Sequence, residues 1–219
     1  MRLVVRPRAR AIGLKVDPIS REAVAFAPHP RAIPSALAFA QERSAWLAAQ
    51  LAQLHPVIPL EPGAVIPLRG EPTLLARAGG RGPARLEEGA PRRFAVPCPP
   101  EAHFPARVQR ALRLLALEAL KGEVARAAAA LQVTPSRIRI KDTRSRWGSC
   151  SSEGTLCFSW RVILAPPPVL RYLAAHEAAH LREMNHSSAF WALVAKADPE
   201  FRAARLWLKR NGAALHAVG

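Results

Sequence analysis

Five residues, His176-Glu177-Ala178-Ala179-His180, constrain this 219-residue chain more than any other stretch. On a helix, positions i and i+4 lie about 40° apart, so the two imidazoles can reach one metal ion. Glu177 sits beside them, placed to take a proton from a water that the metal activates. The surrounding segment reads as a helix, VLRYLAAHEAAHLREM, opened by Pro166-Pro167-Pro168 where a first turn tolerates proline. A catalytic zinc site needs a third protein ligand and one open position. His186 is the candidate, but in an unbroken helix it would be rotated about 240° from His180. The helix must therefore end between them. Asn185 suits a left-handed helix terminus, and Ser187-Ser188 can cap the helix that follows. Glu183 and Glu200 are the rival third ligands, and both are weaker than His186. The same spacing occurs in metzincins, but those carry Gly where this chain has Glu183, and no Met-turn is evident.

The rest of the chain reads as α+β. ARAIGLKVDP and REAVAFAPHP are strand-like, with a turn at Asp17-Pro18, and Ala36, Phe39, Trp46, Leu47, Leu51 and Leu54 then recur at helical spacing from Ile33 to Leu54. Short apolar runs among Gly and Pro fill residues 56–97. A long helix is predicted over 103–132, with Gly122 as its weak point. RIRIKD (137–142) alternates at period two, and TLCFSWRVIL (155–164) reads as a second strand, joined to the first by a turn-rich RWGSCSSEG. A last helix comes after His186, with Asp198-Pro199 placed to kink or split it. The expected layout is an N-terminal β-rich region with one long helix over 1–100. Residues 101–219 then form a minimal zincin-like domain of helix, short sheet, HExxH helix and C-terminal helix.

Composition narrows the function classes. No apolar run is long enough to cross a membrane, and MRLVVRPRARAIG lacks the apolar stretch of a signal peptide. Three cysteines, Cys98, Cys150 and Cys157, form no disulfide framework and suit a cytoplasmic location. Cys150 and Cys157 are read as small buried apolar residues before they are read as ligands. Ser149 lies outside a GxSxG elbow, and no P-loop is present. The net charge of +16 is densest from Arg107 to Arg146, where ten Arg and Lys face Glu118, Glu123 and Asp142. Such a field attracts nucleic acid, nucleotides or acidic partners, although arginines spread over solvated faces would give the same total.

The stretch RSRWGSCSSEGTLCFSWRVILAPPPVLRYLAAHEAAHLREMNHSSAFW closely resembles the YgjP-like metallopeptidase family, relatives of SprT and other minimal zincin-like proteins. The markers are Arg146-Trp147-Gly148-Ser149-Cys150, Trp160-Arg161, Ala165-Pro166, the HExxH, Asn185-His186-Ser187 and Phe190-Trp191. The resemblance is strong over about residues 137–210 and looser in RPRARAIGLKV and ERSAWL. Ala178 departs from the larger aliphatic residue usual there. The resemblance implies a Zn2+ (zinc) ion held by His176, His180 and His186, with Glu177 as general base. It also implies that the RWGSC loop lies near the site, which makes Arg146 and Ser149 candidates for substrate contact. Tyr172, one helical turn before His176, can line the site or pack in the core.

Three functions are expected on these grounds. The first is a zinc-dependent peptidase acting on a protein or peptide. The second is a nucleoside triphosphate pyrophosphatase of the UTP type, with Arg144, Arg146 and the basic helix on the phosphates. It lacks a carboxylate cluster for the Mg2+ ions such reactions use. The third is a basic nucleic-acid-associated protein with a structural metal, for which Cys150 is the nearest spare ligand.

Overall fold

The computed structural model describes residues 1–17, 20–143 and 146–219. They form two compact units, Met1–Pro56 and Val57–Gly219, each with its own hydrophobic core. The division falls at residue 56, not at the sequence-based border near 100. Strands of residues 65–97 place Ile66, Leu68, Leu75, Phe94 and Val96 in the same core as the long helix, so shared burial makes them part of the second unit.

In the first unit, β1 (Arg2–Val5) pairs parallel with β3 (Glu22–Ala27), and β2 (Gly13–Asp17) pairs antiparallel on its other side. β1 lies outside the stretches whose pattern signalled strands. The expected single helix is two, α1 (Ile33–Glu42) and α2 (Ser44–Ala52), because Arg43 leaves helical geometry at φ −100°, ψ 18°. Unbroken, 20 residues would span about 30 Å, longer than the roughly 20 Å strands beneath. Folded at Arg43, both helices reach the sheet, with Ala40 and Leu47 buried beside Ala23 and Ala25. Trp46 stays exposed. Pro18 lies outside the described residues.

The second unit opens with β4 (Val65–Leu68), β5 (Glu71–Ala78), β6 (Arg85–Glu87) and β7 (Arg93–Pro97), ordered β4-β5-β7-β6. The helix α3 (Phe104–Leu131) comes next, buried at Phe104, Val108, Leu112, Ala116, Leu120, Val124, Ala127 and Leu131. That spacing of three and four is one apolar stripe. The His103 ring nitrogen caps its first turn by accepting from the Ala106 amide, and Gln132 ends it in left-handed geometry. Then come β8 (Arg137–Lys141), β9 (Gly148–Cys150) and β10 (Thr155–Ser159), ordered β8-β10-β9, with β8 parallel and β9 antiparallel to β10. Thus the predicted turn after residue 146 contains an edge strand. Helices α4 (Pro167–Ala179), α5 (Ser188–Ala197) and α6 (Phe201–His216) complete the unit, split at Asp198-Pro199 as expected. The whole is α+β, and none of its described helices is long and apolar enough to cross a membrane.

The predicted strand 155–164 stops at Ser159. Trp160–Leu164 turns into a 3₁₀ helix whose five residues are all buried. A continuous apolar run does not distinguish strand from buried turn. This turn carries Arg161, fully buried, whose guanidinium ties three segments together. Its Nη1 pairs with the Asp142 carboxylate at the end of β8, Nε donates to the Val218 carbonyl at 3.0 Å, and Nη2 to the Gly219 carbonyl at 2.8 Å. Asp142 also accepts from Trp160 Nε1 at 3.1 Å.

Replacing Arg161 by Met keeps the volume but takes the donor from the Val218 and Gly219 carbonyls and one of several partners from Asp142, and a buried acceptor left without its donor costs about 1–3 kcal/mol. Urea unfolding of Arg161→Met should show a lower midpoint at unchanged slope, and an unchanged midpoint would contradict the clamp. Gly122 sits on the exposed face of α3 with open space where a Cβ would stand. Gly122→Ala should therefore raise stability by about 1 kcal/mol, seen as a melting temperature about 2–4 °C higher.

Candidate metal centre

The helix α4 ends sooner than the sequence pattern indicated. Its last residue is Ala179, and His180 is the C-cap at φ −64°, ψ −18°. The chain leaves through tight turns in which Leu181 and Arg182 amides donate three residues back, to Ala178 and Ala179 carbonyls. Asn185 is not in left-handed geometry. Positive φ outside glycine occurs only at Arg21, Arg69 and Gln132 among the described residues. The turn is held instead by side chains. His180 Nδ1 lies 3.1 Å from the Glu183 carbonyl, Glu183 Oε1 accepts from the Asn185 amide at 3.2 Å, and Arg182 Nη1 donates to the Leu131 carbonyl at 3.2 Å. Ser187 then caps α5, its hydroxyl accepting from the Phe190 amide at 3.2 Å.

These turns bring His176, His180 and His186 together, with one potential ligand atom from each lying within 4.8 Å of the others. His176 Nε2 and His186 Nε2 are 3.2 Å apart. Two nitrogens on a tetrahedral ion at about 2.0–2.1 Å would be separated by about 3.3 Å, so the spacing fits a single ion. His180, with Nδ1 on a carbonyl, presents Nε2, the arrangement that orients metal-ligating imidazoles. Neither Glu183 nor Glu200 belongs to the cluster. Glu183 is engaged with the turn.

Beneath the three rings lies Phe190, fully buried, with its ring centre 4.9 Å from His176, 4.5 Å from His180 and 4.6 Å from His186. Its helical periodicity marked it only as core, so its place as the platform of all three imidazoles was not legible. Tyr172 is buried edge-on to His176 at 5.8 Å and stacks on Phe201 at 6.3 Å.

Burial dominates the electrostatics. It pushes the His176 pKa down to about 3, helped by its two histidine neighbours and Arg205, so the ring is neutral and free to ligate. His180 is lowered for the same first reason, against the opposing bond to Glu183. The Glu177 carboxyl is pushed up to about 8 by burial, and the Arg146 charge opposes that shift. Its Oε2 and His176 Nδ1 are both buried without a hydrogen-bond partner. An unpartnered carboxyl oxygen beside three imidazoles is a pocket short of positive charge, and a dication on those nitrogens would supply it and favour the ionised form of Glu177.

The edge strand β9 covers this carboxyl. A Cβ on Gly148 would collide with the Glu177 carboxylate, its Cδ lying 2.7 Å away. Glycine is what lets the backbone come so close. Side chains alternate along a strand, so Cys150 shares that inner face while Ser149 points to the outer face beside its cross-strand partner Cys157. Accordingly burial and the Glu177 charge raise the Cys150 thiol pKa. Of the sequence candidates, Arg146 and Tyr172 flank the centre and the Ser149 side chain does not. Arg144 lies outside the described residues.

The arrangement can hold one metal ion and place one carboxyl at its side. A 48-residue stretch, 20% of this chain, is 42% identical to the UTP pyrophosphatase of Escherichia coli (strain K12), and the match spans 29% of that relative. A solved metallopeptidase zymogen, abylysin of Pyrococcus abyssi, is 25% identical with a TM-score of 0.38, over 42% of this chain and 92% of that one. The sequence profile described as YgjP-like, metallopeptidase domain, matches residues 10–211. The chain belongs to the YgjP-like metallopeptidase family.

Proposed function

We propose that the protein is a zinc-dependent peptidase in which His176, His180 and His186 hold the ion and Glu177 is the general base. The observation that carries this reading is the convergence of three histidine nitrogens beside a buried carboxyl with an unpartnered oxygen. Three nitrogen ligands leave one tetrahedral position open, the pattern of catalytic zinc rather than of structural zinc. A zinc ion bound there supplies Lewis acidity to the attacking water and to the scissile carbonyl.

The remaining work falls to the chain. Glu177 takes the proton of the attacking water and returns it to the departing amine. Phe190 fixes the three rings, and the Glu183 carbonyl sets the tautomer of His180. The edge strand β9 is paired on one side only among the described residues, so an extended peptide can add to its free edge next to Glu177. Arg146 and Tyr172 flank the place where such a peptide would lie, with Ser149 contributing as part of the strand.

A second reading, phosphoanhydride hydrolysis, is favoured by the likeness to the UTP pyrophosphatase and by Arg146 beside Glu177. Against it, no second group of three His, Cys, Asp or Glu able to hold a metal exists among the described residues.

Metal analysis should find one zinc per chain, and Glu177→Gln should keep that zinc while losing about 10²–10⁴-fold in peptide cleavage. Full cleavage by this variant would remove Glu177 from the mechanism. Pyrophosphate release from UTP without cleavage of any unfolded protein would establish the second reading instead. Gly148→Ala should likewise retain zinc yet lose about 10²-fold in kcat, because its Cβ displaces the Glu177 carboxyl. Unchanged kcat would show that β9 does not position that group.

A further inference from the structure

Beside the histidine centre lies a cleft of about 540 Å³ that the chemistry above does not use. Its long wall is α6, where Arg202, Arg205, Leu206 and Lys209 recur at i, i+3, i+4 and i+7 and so form one stripe. Trp191 of α5 and Phe201 complete it. The inner wall is shared with the metal centre, since the Trp191 ring lies 5.9 Å from both His176 and His186. Phe201 stacks on Trp191 at 5.6 Å.

The cations of this cleft differ from those that the fold uses in ion pairs. Arg113 and Arg161 meet Asp142, while Arg126 and Arg171 meet Glu123. Arg202, Arg205 and Lys209 have no carboxylate within ion-pair distance among the described residues, and no acidic residue lines the cleft. Two of them are held over aromatic rings, Arg205 at 4.3 Å from the Trp191 centre and Arg202 at 5.2 Å from that of Phe201. Such contacts fix where the charge stands. Between them Leu206 is exposed. An aromatic floor, an exposed leucine and three unpaired cations make a surface complementary to a ligand that is apolar and anionic at once.

Taking the peptidase reading as its basis, we propose that this cleft is a substrate subsite for an acidic peptide segment. A large apolar side chain lies against Trp191, Phe201 and Leu206, and carboxylates meet Arg202, Arg205 and Lys209. From Arg202 to Lys209 the helix advances about 10 Å, the length of about three extended residues, which matches a segment and exceeds a single carboxylate.

Binding and cleavage test it separately. The probes are a fluorescein-labelled peptide Ala-Leu-Glu-Phe-Glu-Leu-Glu and its counterpart with Gln at every Glu. Anisotropy titration of zinc-loaded full-length Glu177→Gln should show the acidic peptide binding about ten-fold or more tighter, with the difference shrinking as salt rises. Adding Arg202→Gln, Arg205→Gln and Lys209→Gln together should bring the ratio near one, with zinc content and melting temperature retained. Replacing the two arginines by lysine should keep much of the preference. With Glu177 present, the kcat/KM ratio of the two peptides should show the same pattern. Equal binding of both peptides overturns the subsite, as does a triple variant that keeps the preference. Loss of UTP binding in the triple variant, without any peptide preference in the parent, overturns it in favour of a nucleotide. A clear binding preference with neither peptide cleaved supports the acidic-peptide cleft and overturns the peptidase reading alone.

Discussion

A helix of 3.6 residues per turn delivers imidazoles at i and i+4 to one point but carries a residue six further on to its far side. The site therefore depends on ending α4 at His180 and turning the chain back within six residues. That turn places several backbone polar groups in a tight space, and each needs a partner. The same side chains that satisfy them also serve the site. The Glu183 carbonyl meets His180 Nδ1, and the Arg182 guanidinium anchors the turn to the carbonyl end of α3. Stopping the helix and orienting the His180 ring are one event.

Such a turn holds only if α4 itself is fixed. The packing of α4 on α3 is apolar along the α3 stripe, and it sets the height of His176 and Glu177 relative to the sheet. The opposite side of the carboxyl is set by β9, through the missing side chain of Gly148. Between sheet and helix, the buried turn at Trp160–Leu164 is pinned by Arg161, which joins Asp142 to the Val218 and Gly219 carbonyls. A buried cation is costly unless its donors are used, and here the partners come from distant segments. The position of the sheet edge over Glu177 is thus a consequence of tertiary closure, not of local propensity.

This explains what could be read from the sequence. The pentad, the need for a helix break and the candidacy of His186 come from helical geometry alone, and the long apolar periodicity of α3 comes from its spacing. The residue that ends α4 was not legible, because Asn185 met the statistical preference for a helix terminus while the side chains of His180, Arg182 and Glu183 ended it five residues earlier. Phe190 and Gly148 stood among the family-like markers, but what each does at the site was not legible for the same reason. A buried phenylalanine and a loop glycine signal nothing until the rings and the carboxyl they touch are in place. Ser149 shows the converse. A one-residue shift along a strand moves a side chain to the other face, so nearness in sequence to a site says little about direction.

Charge gives the last step. A total of +16 does not distinguish a solvated arginine-rich surface from a recognition surface. The structure sorts the cations by what they meet. Arg126 donates to Glu123 and the Ala197 carbonyl, and Arg161 is fully buried among its partners, so both are part of the fold. Arg146 acts on the centre itself, opposing the protonation of Glu177. That effect favours the carboxylate, the form able to accept a proton. The basic character of the chain therefore reaches Glu177 through Arg146, whatever the remaining arginines do at the surface.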